Sequence, residues 1–199
     1  VTFPEYERNL LSELQERITL NPDYQGQVAG LLPQLETYQE IVDGDRQLAA
    51  SMQSVDTILA FSLNNNEKSQ IGQLPAPLFT LNDPQLQDLQ LNFELGYFAN
   101  VDVLQSAAKG GGFLDAEPDI DGVIRSTPLI RAYQNNIYPS LALEMYRVAD
   151  LIDGFSADFD EFNGQLLLNG IVSSDGVSIT TDEKGKVLVP YLGPSKQFP

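Results

Sequence analysis

The apolar residues of this chain change period repeatedly along its length, and that switching constrains the fold more than any other feature. Leu10, Leu11, Leu14 and Ile18 recur at helical spacing after Pro4, a residue suited to a helix start, until Asn21-Pro22-Asp23 stops them. Asp43 or Asp45 then caps a helix carrying Leu48, Ala49 and Met52, and Thr57–Leu63 follows as a short, apolar run suited to a buried strand. A helix feeding a strand predicts a layered α/β core. Residues 22–43, polar with a weak apolar pattern, read as a loop or a short, loosely attached helix.

Further on, Pro75 and Pro77 exclude regular structure from a surface excursion over residues 64–79, and Leu89–Phe93 alternates like a half-buried or edge strand. Asn100 or Asp102 caps a short helix with Leu104, Ala107 and Ala108 on one face, which Gly110–Gly112 ends. Residues 112–118 and 123–133 are both strand-compatible, and Asp121-Gly122 between them predicts a two-residue hairpin turn. On the second arm Ile124, Ile130 and Ala132 share one face, while Arg125, Thr127, Leu129 and Arg131 share the other. A helix beginning at Pro139 carries the stripe Leu141, Met145, Val148 and Ile152 and stops at Gly154. Residues 165–172, 177–180 and 186–191 read as strands separated by Asp175-Gly176 and by residues 181–185. The expected class is α/β, a layered mixed sheet with flanking helices and an antiparallel C-terminal meander.

With 199 residues and 42% hydrophobic content, the chain is long enough for one sizeable core. Its 28 acidic residues against 11 basic ones give a formal net charge of -17. Such a surface repels phosphate backbones and anionic headgroups, so no nucleic-acid partner is expected. The acids are scattered, which favours a solvated surface over a dedicated cation site. No stretch approaches the ~20 apolar residues of a membrane span, and the first residues lack the pattern of a secretory signal. A start at Val1 suggests a piece of something longer.

There is no cysteine and no histidine, which removes disulfides, thiolate and Ser-His chemistry and the common zinc motifs. No phosphate-cradling glycine loop is present either, so no cofactor and no catalytic residue is expected. A glycosidase-type carboxylate pair stays open, because spacing across loops is invisible in sequence. An EF-hand is tested by position: Glu117, Asp119, Asp121 and Gly122 fit its first half, but its ninth position falls on Arg125 and its twelfth on Pro128. A looser cation site at Asp115, Glu117, Asp119 and Asp121 stays open, with no metal ligand assigned.

Several motifs resemble those of the CHASE2 family of extracytoplasmic sensor domains. They are the Asp-x-Asp-Gly-Val-x-Arg hairpin at Asp119, Asp121, Gly122, Val123 and Arg125, and the Tyr-Pro-Ser-Leu-Ala helix start from Tyr138 through Pro139 and Ser140 to Ala142. Gly185 with Leu188, Gly193-Pro194 and Phe198-Pro199 follow in the family order. The resemblance covers nearly all of residues 1–199, which are expected to form a single sensor-domain fragment truncated at both ends. It departs from the family in the length of the polar stretch 22–43.

What the resemblance implies is an extracytoplasmic, periplasmic module of a cell-membrane receptor, held by flanking membrane helices outside this chain. The output would be an adenylate or guanylate cyclase, otherwise a histidine or Ser/Thr kinase, and the full-length receptor would be a homodimer. The ligand would be an unidentified small molecule or protein, with Arg125, Arg131 and Tyr138 as candidate contacts. For both arginines, pairing with some of the many carboxylates is the commoner outcome. Asp119, Asp121, Gly122, Val123, Pro139, Ser140, Gly193 and Pro194 would serve structure. The alternative is a structural or calcium-dependent extracytoplasmic interaction module that senses nothing.

Overall fold

The computed structural model describes residues 3–20, 33–34, 43–81, 89–115 and 118–191. The chain divides into two units, Val1–Val55 and Asp56–Pro199.

The first unit contains α1 (Phe3–Leu20) and α2 (Gly44–Met52). Both helices were legible in the sequence. On α1, Glu13 and Arg17 form an i,i+4 ion pair at 2.7 Å, and Leu10 and Leu14 of the expected stripe are exposed. Asp43 is the cap of α2: its Oδ1 accepts the Arg46 backbone N–H at 3.2 Å, and Ala49 and Met52 are buried. The expected loop between the helices lies almost wholly outside the described residues.

The second unit runs β1 (Ile58–Asn64), β2 (Gln70–Ile71), β3 (Phe79–Thr80), β4 (Phe93–Glu94), β5 (Gly96–Phe98), α3 (Asp102–Ala107) and β6 (Gly110–Phe113). It continues with β7 (Ser126–Pro128), β8 (Ile130–Tyr133), β9 (Asn136–Pro139), α4 (Leu141–Ala149), β10 (Phe155–Phe162), β11 (Gln165–Ser173), β12 (Ser178–Thr180) and β13 (Lys186–Leu188). One mixed sheet has the order β2-β5-β1-β6, with β1 parallel to β6 and antiparallel to β5. A second has the order β3-β9-β8-β4. The C-terminal meander is β10-β11-β12, both pairs antiparallel. This is the expected α/β class.

Two apolar clusters hold these sheets. Phe61, Leu63 and Phe113 of the first sheet meet Tyr133 and Tyr138 of the second, with Phe61 and Tyr138 edge to face at 5.7 Å. Ile130, Ala132 and Ile137 on the second sheet join Leu143, Leu168 and Ile171 in the larger cluster.

The Gly110–Gly112 run does not end a helix. It is strand β6, and α4 lies against it. A Cβ on Gly112 would stand 2.5 Å from Leu141 Cα and 2.6 Å from its N, and one on Gly110 would collide with Glu144 Oε1. The glycines are there because only a strand without side chains lets the helix come this close.

Other expectations shift for local reasons. The excursion over residues 64–79 contains two short strands, β2 and β3, on either side of its prolines. Only Phe93 of the segment Leu89–Phe93 enters a strand, while Leu89 and Leu91 are buried. The N-cap of α3 is Val101, which has no capping side chain; Asn100 instead donates to the Ala60 carbonyl at 3.0 Å. All four residues of β8 are buried, so the arm has no solvent face there. Pro139 closes β9, Ser140 caps α4, and Met145 of the expected stripe is exposed, because the glycine strand turns Leu143 and Glu144 inward. The long strand β10 was missed, and β13 leaves the meander to pair with β7.

Candidate functional site

The Asp-x-Asp-Gly-Val-x-Arg motif forms a clasp. Gly122 N–H donates to the Asp119 carbonyl at 2.8 Å, and Asp119 N–H donates to the Val123 carbonyl at 3.0 Å. With Gly122 at φ 80°, this is a tight three-residue loop over residues 120–122, but the expected hairpin does not form: the segments on either side pair elsewhere, β6 with β1 and β7 with β13. Arg125 grips Asp121 through two bonds of 2.8 and 2.7 Å and Asp119 through a third of 2.9 Å. These bonds hold the Asp121 carboxyl below the usual carboxylate range and push Arg125 up.

Arg131 and Tyr138 are interior. The Arg131 side chain is 5% exposed, donates to Glu94 Oε1 at 2.8 Å, and lies over the Phe113 ring at 5.3 Å. Asp115 approaches the same guanidinium at 3.8 Å while accepting from Ser62 Oγ at 3.0 Å and Leu63 N–H at 3.2 Å. Tyr138 is buried, which pushes its phenol pKa up. Among the described residues no group of three or more acidic side chains could hold a metal ion; Glu117, Gly193 and Pro194 lie outside those residues.

A different place has the shape of a ligand site. A cleft of about 410 Å³ opens between the loop Gln73–Leu78, the end of α3, the start of β6 and the exposed end of α4. Its volume is at the small end of the ~300–1,000 Å³ typical of ligand pockets. The loop forms a preformed wall. Its two X-Pro steps favour extended backbone, Gln73 N–H is tied to the Asn100 carbonyl at 2.8 Å, and Leu78 N–H to the Ile137 carbonyl at 2.7 Å. Pro139, from the helix-start motif, lines the cleft; Arg125, Arg131 and Tyr138 do not.

Polar groups converge on this wall. Glu144 is 4% exposed and receives Arg147 Nε at 2.8 Å and Nη2 at 2.7 Å, and these bonds push the Arg147 pKa up. Arg147 Nη1 makes only a long bond, 3.4 Å, to the Ile152 carbonyl. Lys109 stands at the mouth in an exposed pair with Asp56 at 2.8 Å. Gln105 of α3 is 6% exposed, and its Oε1 is sealed from solvent with no hydrogen-bond partner. A buried acceptor left unmatched costs ~1–3 kcal/mol.

Sequence reasoning missed Gln105, Lys109, Glu144 and Arg147. Nothing within a few residues of them marks a site, since the fold brings their elements together. The usable signal was the triple glycine, since glycine inside a strand marks close backbone approach. Among the described residues, the lining holds no Ser, Thr or Cys.

No curated protein and no solved structure matches the chain. The family model for the CHASE2 domain matches residues 5–199. CHASE2 domains are sensory, non-catalytic, extracellular domains of membrane signalling proteins, and among the described residues no helix is long and apolar enough to cross a membrane. With the match spanning both units and the clasp and helix-start motifs in place, the chain belongs to the CHASE2 family.

Proposed function

We propose that this chain is the ligand-sensing part of a transmembrane receptor, lying on the periplasmic side and controlling an adenylate or guanylate cyclase, otherwise a histidine or Ser/Thr kinase, within a homodimer. The observation that carries this reading is a preformed cleft in a domain of a sensory family, lined in part by Gln105, whose carboxamide oxygen is left unmatched. A ligand that supplies the missing donor binds one arrangement of the cleft better than another. Only such differential affinity shifts a conformational equilibrium.

The calcium-dependent alternative meets occupied carboxylates among the described residues. Asp119 and Asp121 are committed to Arg125, and Asp115 to Ser62, Leu63 and Arg131.

The test is made in the parent membrane protein. Deleting residues 56–191 and assaying cyclic nucleotide or phosphotransfer is expected to abolish the response to stimulus while the protein still reaches the membrane. An output that stays unchanged and responsive defeats the reading.

A further inference from the structure

We infer that the cleft beside β6 binds a small zwitterion, a free α-amino acid with an apolar side chain. This deepens the sensor reading and rests on it.

Charge is the first reason. The chain carries only 11 basic residues against 28 acidic ones, yet Lys109 and Arg147 both line this small cleft. Lys109 is held only by an exposed pair with Asp56, and exposed pairs contribute ~0–1 kcal/mol, so its ammonium is easily redirected to an incoming carboxylate. The two bonds from Glu144 fix the orientation of the Arg147 guanidinium, and the weakly engaged Nη1 is the part able to turn to an anion.

Acceptors are the second reason. The orphaned Gln105 Oε1 requires a donor, and a turn of its carboxamide brings that oxygen to a ligand N–H. Asp153 adds a carboxylate to the same lining. A simple anion would leave Gln105 unmatched and would face Glu144 and Asp153; a simple amine would face Lys109 and Arg147. A neutral sugar would answer Gln105 but engage neither cation, leaving Lys109 with Asp56 and Arg147 with Glu144 as they stand. A molecule carrying an ammonium beside a carboxylate meets both sets of groups.

Shape is the third reason. The wall Leu74–Leu78 and Ala108 are apolar apart from the backbone, and the two prolines keep that wall rigid. A rigid apolar wall suits a hydrocarbon side chain and limits the ordering cost on binding.

The test uses the purified chain of residues 1–199, titrated by calorimetry and by thermal melting with the free amino acids, and with acetate, methylamine and glucose as single-function probes. Amino acids with apolar side chains are expected to raise the melting midpoint with concentration, while the three probes leave it unchanged. Lys109→Met and Gln105→Leu are each expected to weaken that binding about tenfold or more. Lys109→Met should keep the unliganded midpoint, and Gln105→Leu, which removes the unmatched acceptor, should keep or raise it; Lys109 is exposed, so its variant remains informative if the Gln105 variant folds poorly.

The proposal is overturned if no amino acid shifts the midpoint, if Lys109→Met binds as tightly as the parent chain, or if a single-function probe binds equally well. If the deletion in the parent protein abolishes signalling but amino acids do not bind, the ligand class is wrong and the sensor reading stands. If amino acids bind here but the deletion leaves the output responsive, the site stands and the sensor reading fails.

Discussion

Glu144 and Gly110 meet where α4 lies against strand β6, and the carboxylate Oε1 occupies the place that a side chain at residue 110 would take. The contact puts a buried carboxylate at the cleft wall and allows Gly112 to bring the strand against the backbone of Leu141. Helix, strand and cleft are therefore one packing unit.

Gly112→Ala is expected to be among the most damaging small substitutions in the chain. Its methyl would meet helix backbone, which cannot rotate away, and overpacking of this kind costs ~1–3 kcal/mol or more. Gly44→Ala is the control: nothing lies within 4 Å of its Cβ, and the change is expected to be neutral or to stabilise by up to ~1 kcal/mol. Chemical denaturation of both variants checks the contrast. Equal stabilities would mean that the close approach is not needed.

Arg131 binds Glu94 with both side chains 5% exposed, over the Phe113 ring. Arg131→Met removes the guanidinium and leaves Glu94 buried without it, a loss expected to cost ~3–5 kcal/mol. The double variant Arg131→Met, Glu94→Leu is expected to recover most of that loss. Urea denaturation of the single and double variants decides the matter, and a double variant no better than the single one would show that the pair's value lies beyond mutual neutralisation.

Much of the fold was legible because local chemistry decided it. Asp43 caps α2, the expected run Thr57–Leu63 is offset by one residue from β1, and Gly122 sits at positive φ in its turn, each for a reason contained within a few residues. What failed depended on a distant partner. Gly110–Gly112 read as a helix stop because nothing nearby reveals the α4 backbone that it must admit, and β13 pairs with β7, far back along the chain, rather than with the preceding β12. The site divided in the same way. Arg125 and its aspartates were close in sequence and visible as a unit, whereas Gln105, Lys109, Glu144 and Arg147 come together only through the fold.

Ser140 belongs to the helix-start motif, and its Oγ accepts the Leu143 N–H at 3.3 Å at the start of α4. Its own N–H donates to the Leu129 carbonyl at 2.7 Å, so one residue ties the helix start to the β7–β8 segment. Ser140→Ala keeps the backbone bond and loses the cap, an expected loss of ~0.5–2 kcal/mol, while Ser140→Asp keeps a capping oxygen and should recover part of it. The midpoints of thermal unfolding order the three proteins. An alanine variant as stable as the parent would remove the cap from the account of α4.

Asp121 offers a pH signature. Arg125 holds its carboxyl below the ordinary ~3.9 of an aspartate, first through the side-chain bonds and then with help from the Val123 N–H. A depressed folded pKa contributes stability that is present above the unfolded value and lost as pH falls through the folded value. The clasp is therefore expected to stay closed at neutral pH and to open only below the ordinary aspartate range. Arg125→Gln should raise the Asp121 pKa toward ~3.9, so that the loop over residues 120–122 loosens at a higher pH than in the parent chain. Carboxylate chemical shifts followed by NMR from pH 6 downward measure both values, and identical titrations in the two proteins would mean that Arg125 does not set the charge of the turn.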